Sequence, residues 1–136
     1  MPTDSHQLAR SVARLNRRLR QERQTDLTPT QLSVLSTIVM IGPATPSAIA
    51  AHERVRPPSI TRTLTCLVDE GLAIRAPHPD DGRQVLMSIS DRGDAVLAEE
   101  RERRDHWLAQ RLAALTTPER MTLREATALL ERLAQS

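Results

Sequence analysis

The sequence predicts a mainly α-helical chain with one small β-hairpin. Apolar residues recur at helical spacing through most of the 136 positions. The pairs Thr28-Pro29, Thr45-Pro46, Pro57-Pro58 and Thr117-Pro118 fall where such periodic segments begin, as Pro does in the first turn of helices. Around residues 85–89 the pattern alternates instead, as a half-buried strand does.

Residues 4–24 read as a helix in which Leu8, Val12, Leu15 and Leu19 follow at steps of four, three and four. At about 100° per residue they fall within about 60° of arc. Arg10, Arg14 and Arg17 lie on the opposite side. So narrow a stripe is a seam for another helix rather than a broad core face. Thr28 then caps a second helix, with Gln31 placed for a capping box, and Leu32, Leu35, Ile38, Val39 and Met40 follow before Gly42-Pro43 ends it. Thr45-Pro46 starts a third helix carrying Ala48, Ile49, Ala50 and Ala51, which finishes near Glu53-Arg54. Pro57-Pro58-Ser59 opens a fourth, with Ile60, Leu64, Leu67 and Val68 inward and Gly71 as its stop. Short helices joined by tight turns within so few residues form a helix-turn-helix unit.

Segments 72–76 and 84–90 are joined by Pro77-His78-Pro79-Asp80-Asp81-Gly82-Arg83, a polar connection suited to a hairpin with a protruding loop. Ser90-Asp91 caps a long helix to about Leu115, with Leu97, Leu108, Leu112 and Leu115 as an intermittent seam. Its charged middle, residues 99–105, is expected to be mostly solvated. Thr116-Thr117-Pro118-Glu119 starts the last helix, where Leu123, Ala126, Leu130 and Leu133 repeat.

Composition narrows the function. Every one of the 19 basic side chains is Arg, so Schiff-base chemistry and the phosphate-loop lysine are excluded; a GC-rich genome would also produce this bias. With no Phe, no Tyr and Trp107 alone, there is no platform on which unpaired bases could stack. Trp107 is read as packing, in the core or at a dimer interface. Cys66 stands alone, and His6, His52, His78 and His106 are dispersed without ligand spacing, so neither a disulfide, a metal nor a cofactor is expected. No apolar run is long enough to span a membrane and no signal core precedes the first helix, which predicts a cytoplasmic protein. An apolar content of 39% without large aromatics gives a thin aliphatic core, and a second chain is expected to complete its burial. Six Arg stand against three acids over residues 1–27, six against six over 28–93 and seven against eight over 94–136. Any basic face must therefore be local.

One such face lies on the fourth helix. Opposite Ile60, Leu64, Leu67 and Val68 it carries Arg62, flanked by Pro58, Ser59, Thr65, Cys66 and Asp69. Short side chains permit close approach to a DNA major groove, where Arg62 would make a bidentate contact to guanine or reach a phosphate. Thr61 and Thr63 lie at the margins, and Arg54 and Arg56 immediately precede the helix. In the hairpin loop Arg83 suits a neighbouring minor groove. Asp80 or Asp81 would hold that guanidinium in one orientation.

In order and spacing these pieces resemble the multiple-antibiotic-resistance regulator (MarR) family of winged helix-turn-helix transcription factors, over essentially the whole chain. The matching stretches are residues 46–50, Ser59-Ile60-Thr61-Arg62, then Leu67-Val68-Asp69-Glu70-Gly71-Leu72, Arg75, Pro79-Asp80-Asp81-Gly82-Arg83 and Ile89-Ser90-Asp91-Arg92-Gly93. The resemblance implies a first dimerisation helix over 1–27, a winged DNA-binding domain over 28–92 and dimerisation helices over 93–136. The expected contacts to double-stranded DNA are Arg54, Arg56, Pro58, Ser59, Thr61, Arg62, Thr63, Thr65, Arg75, Arg83 and Gln84. The expected dimer residues are Leu8, Val12, Leu15, Leu19, Leu112, Leu115, Leu123, Leu130 and Leu133. A homodimeric repressor on a pseudo-palindromic operator follows, open to release by a small-molecule effector. The chain departs from the family pattern in Pro57-Pro58, which stiffens the start of the recognition helix, and in Gly82, where a second basic residue is frequent. Two alternatives stay open: a winged-helix protein-interaction module without DNA binding, and a redox-sensing regulator acting through Cys66. No catalytic constellation can be assembled, so no enzyme is expected.

Overall fold

The computed structural model describes residues 3–22 and 25–136. Its elements are α1 (Asp4–Gln21), α2 (Pro29–Ile41), α3 (Pro46–Glu53), α4 (Pro57–Asp69), β1 (Ala73–Pro77), β2 (Val85–Ile89), α5 (Asp91–Ala113) and α6 (Thr117–Ala134). The mainly helical class with one hairpin is as expected. Residues 23 and 24, the end of the stretch read as the first helix, lie outside the described residues. Two compact units form, residues 23–102 and residues 1–22 with 103–136.

In the first unit, local chemistry sets the helix ends. Thr28 and Gln31 form the reciprocal capping box, each side chain bonding the other's backbone N–H. Thr45 caps α3 by accepting from the N–H of Ala48. Gly71, at φ 76°, takes the left-handed turn that releases the chain from α4 into β1. The interior is aliphatic throughout: Leu32, Leu35 and Ile38 of α2, Ile49 of α3, Ile60, Leu64 and Leu67 of α4, Met87 of β2 and Leu97 of α5. Val39 and Met40 are 40% and 69% exposed. Consecutive helical positions point about 100° apart, so three in a row cannot share one face. Val34 and Thr37 complete the buried face of α2. Val68 is half-buried.

A polar clamp ties α2 to α3. The Glu53 carboxylate accepts from the Thr37 hydroxyl at 2.5 Å and from the Ser33 hydroxyl at 3.0 and 2.9 Å. Bonds to an ionised acceptor are the stronger kind, and Thr37 is buried.

β1 and β2 pair antiparallel from Ala73–Ile89 to Pro77–Val85. Ala44, in the α2–α3 connection, bridges Met87 on the other edge of β2 by two backbone hydrogen bonds of 2.8 and 3.1 Å. Ser90 closes the base. Its hydroxyl donates to the Gly71 carbonyl at 2.6 Å and accepts from the Gly93 N–H at 3.0 Å, capping α5. Glu100, in the stretch expected to be solvated, is buried. It lies one turn beyond Leu97, on the same helix face.

In the second unit, α1 and α6 bury no residue. Leu8, Val12 and Leu15 of α1 stay roughly half exposed, as do Leu123, Leu129, Leu130 and Leu133 of α6. Between the two helices runs a groove of about 840 Å³, lined by Leu8, Val12, Leu130 and Leu133 among others. Leu19, Leu112 and Leu115 are half-buried. Trp107 is packed between the guanidinium groups of Arg18 and Arg111, each 5.2 Å from the ring centre. Thr116 and Glu119 form a second capping box. The Thr116 backbone N–H, and then its hydroxyl, hold the Glu119 carboxyl below its usual range. Among the described residues no helix is long and apolar enough to cross a membrane.

The base of the hairpin supplies a prediction. A Cβ at Gly93 would lie 2.1 Å from the Leu72 carbonyl oxygen, whereas one at Gly82 would meet nothing within 4 Å. Gly93→Ala is expected to destabilise the protein by about 3 kcal/mol, and Gly82→Ala by less than about 1 kcal/mol. Urea unfolding of the two variants checks this; equal midpoints would contradict the packing.

Candidate nucleic-acid interface

The apolar stripe of α4 determines which side of the helix remains free. With Ile60, Leu64 and Leu67 inward, Pro58, Ser59, Thr61, Arg62, Thr65 and Cys66 are exposed and Thr63 is half-buried. The threonine hydroxyls bond back into the helix, Thr61 to the Pro57 carbonyl at 3.1 Å, Thr63 to Ser59 at 3.2 Å and Thr65 to Thr61 at 2.9 Å. Their donor hydrogens are thus spent internally. What they offer outward is methyl surface and oxygen lone pairs, which match a thymine methyl or a base amino group better than a phosphate.

The start of α4 is short of donors. Pro57 and Pro58 have no N–H, and the Ser59 N–H bonds the Arg56 carbonyl at 3.1 Å. Arg56 is the N-cap but makes no side-chain cap bond. An anion at this end would therefore be met by side chains, Arg56 and the neighbouring Arg54, rather than by the backbone amides helices usually present. Among the described residues none of Arg54, Arg56, Arg62 and Arg75 forms an ion pair. Arg75 is exposed on β1, in register with Met87.

Charge along α4 runs against its dipole. Arginines gather at the N-terminal end, where anions are favoured, while Asp69 and Glu70 close the C-terminal end, where cations are.

The loop between β1 and β2 is organised by polar bonds. The backbone N–H and the Nε–H of Arg83 both donate to Asp81 Oδ1, at 3.1 and 3.3 Å. Of the two acids expected to steady Arg83, Asp81 makes these bonds. Asp80 enters the loop's bonding through its backbone. The N–H groups of Asp80 and Asp81 both donate to Nδ1 of His78, at 3.1 and 3.2 Å. Gln84 is exposed; its N–H reaches the Asp81 carbonyl and its own carbonyl accepts from the His78 N–H, both at 3.0 Å. His78 escaped the sequence reading, which weighed the histidines only as metal ligands. Its place at the head of a Pro-Asp-Asp-Gly turn was the available sign.

Arg54 holds φ 58°, the one positive value outside glycine among the described residues. It is the C-cap of α3, and its backbone N–H reaches the carbonyls of Ala50 and Ala51. Glycine is the usual occupant of such a site, since a side chain there costs about 1–2 kcal/mol. Arg54→Gly is expected to stabilise the fold by about 0.5–1 kcal/mol, the remainder being lost to the freer unfolded chain. Denaturant midpoints of the variant and the parent decide this, and a lower midpoint for Arg54→Gly would refute it.

Comparisons with known proteins agree on one family. A MarR family model matches residues 27–85, which span the helix-turn-helix and most of the hairpin. An HTH-type transcriptional regulator of Mycobacterium tuberculosis is 47% identical over 124 residues, 90% of this chain and 87% of that protein. The multiple antibiotic resistance protein MarR of Salmonella typhimurium is 34% identical over 99 residues, 72% of this chain and 69% of the relative. Among solved structures, a transcriptional regulator from Pseudomonas aeruginosa superposes with a TM-score of 0.86 at 36% identity, covering 99% of both chains. A variant of MepR from S. aureus bound to an oligodeoxyribonucleotide shares the fold, with a TM-score of 0.72 at 18% identity over 98% of this chain and 99% of that one. With its helix-turn-helix, paired wing strands and exposed arginines, the chain belongs to the MarR family of transcriptional regulators, whose winged helix is the DNA-binding part.

Proposed function

We propose that the protein is a homodimeric, cytoplasmic repressor that binds a pseudo-palindromic operator in double-stranded DNA. Each protomer inserts α4 in a major groove, with Arg62 reading base edges and Ser59, Thr61, Thr63 and Thr65 lining the approach. Arg54, Arg56 and Arg75 meet phosphates, and Arg83, with Gln84 beside it, enters the flanking minor groove. The observation that carries this is the free face of α4, where an exposed Arg62 stands among side chains small enough for close approach. Dimerisation is supported by the half-exposed leucines of α1 and α6, which leave apolar surface for a second copy to cover. Repression is what the family resemblance implies. Any effector that favours a different spacing of the two recognition helices would release the operator, by its differential affinity for the two states.

Selection of bound fragments from genomic DNA supplies the operator. Its half-sites should lie about 10 bp apart, centre to centre. Affinity should fall linearly with salt on logarithmic axes. Arg62→Glu and Arg83→Glu should each abolish binding while sedimentation still shows a dimer. Arg54→Gly, though more stable, should bind about three- to tenfold more weakly, having lost a phosphate contact. Binding at wild-type strength by both glutamate variants, or a flat salt response, would refute the assignment.

A further inference from the structure

We propose that His78 is a positioning residue for the wing: its neutral ring, protonated on Nε2, accepts the backbone N–H groups of Asp80 and Asp81 on Nδ1 and so presents Asp81 to Arg83. The role rests on the reading of Arg83 as a DNA contact.

A single ring nitrogen receives both amides, at 3.1 and 3.2 Å. A nitrogen that accepts must carry no hydrogen, so the ring is held in one tautomer with its proton on the far side. The two bonds fold residues 78–81 into a turn, which the 3.0 Å bonds from His78 N–H to Gln84 and from Gln84 N–H to Asp81 then close. In that turn Asp81 Oδ1 faces both the backbone N–H and the Nε–H of Arg83. The Arg83 side chain is otherwise free, being 93% exposed. Its aim depends on Asp81, and the aim of Asp81 depends on the ring.

The same bonds make the loop sensitive to acid. A proton taken up on Nδ1 turns the acceptor into a donor facing two other donors, and both bonds are lost. The charged groups of this loop and its strands are Asp80, Asp81, Arg83 and Arg75. A charged ring bonded into the same turn as Asp80 and Asp81 also competes with Arg83 for Asp81. Both effects withdraw the support of Arg83. Added positive charge alone would strengthen DNA binding in acid, so the expected sign is opposite to the generic one.

The test measures affinity for the selected genomic fragment between about pH 5.5 and 8 at fixed salt. The wild type should bind about tenfold more weakly at the acid end. His78→Asn supplies a side-chain oxygen at the Nδ1 position that takes no proton. It should bind at pH 8 within about twofold of wild type and lose the acid weakening. His78→Ala should be weak at both ends of the range. Arg83→Ala should also flatten the profile, because the ring acts through that side chain. Ring nitrogen shifts of the free protein at pH 8 should report the Nε2–H tautomer. Acid weakening that persists in His78→Asn, or an Nδ1–H ring, would overturn the role of His78 while leaving the wing contact intact. If Arg83→Ala binds as the wild type does, the wing contact fails and the role of His78 fails with it.

Discussion

The winged unit depends on the pair of backbone hydrogen bonds between Ala44 and Met87. They give β2 a partner on each edge, β1 on one side and the α2–α3 connection on the other. Met87 lies at the middle of that strand, and its side chain is fully enclosed among the helices. The hairpin is thereby anchored to the helical core as well as to itself. Isolated two-stranded hairpins are marginal in water, so without this anchor the wing would have no defined direction relative to α4. At the other end of the hairpin, Ser90 binds the Gly71 carbonyl and caps α5. The chain leaving α4 and the chain entering α5 are thus joined at one residue.

From that base outward, the source of order changes. The root of the wing is held by buried aliphatic surface and ladder hydrogen bonds, which respond little to pH or salt. Its tip has no core. Residues 78–84 are organised by His78, Asp81 and their backbone bonds, with the Arg83 side chain almost wholly in water. An exposed ion pair of this kind contributes little to stability. Its consequence is geometric, since a preset guanidinium loses less freedom on binding than a free one. The same division separates the two units of the chain. The unit of residues 23–102 encloses its own core, whereas α1 and α6 leave their leucines half in water.

Elements whose ends are chosen by local chemistry were legible in the sequence. Thr28 with Gln31, Thr45-Pro46, Thr116 with Glu119, and Gly71 each act within a few residues, and the structure uses each as a cap or stop. The free face of α4 was legible too, because its apolar stripe is clean. What stayed hidden depends on contacts distant in sequence or on backbone angles. Glu100 reads as one more charge in a charged run; its spacing puts it on the face of Leu97, and only packing shows that this face is buried so far along α5. Val39 and Met40 extend an apolar run whose burial is limited by helix geometry. Nothing about an arginine announces a left-handed backbone, and Arg54 became visible only through its φ. For His78 the obstacle was chemical, since its importance lies in accepting amides rather than in ligating metal.

How can a segment with six arginines and six acids be a DNA-binding surface at all? The answer is placement. Glu53 is turned onto α2 by Ser33 and Thr37, and Asp81 is bound to Arg83. Asp91 stands at the N-terminus of α5, where the helix dipole favours it. Asp69 and Glu70 are at the far end of α4, while Arg54 and Arg56 stand at its start and Arg62 in its second turn. Helix stability alone would prefer the reverse order, by about 0.3–1 kcal/mol for each charge at a terminus. An arrangement that opposes the dipole at both ends of α4, beside a strained arginine in the preceding turn, gains nothing for the fold. A phosphate backbone approaching the start of the helix would reverse that balance. The proposed docking would then bring the arginines to the phosphates and leave the carboxylates at the far end of the helix.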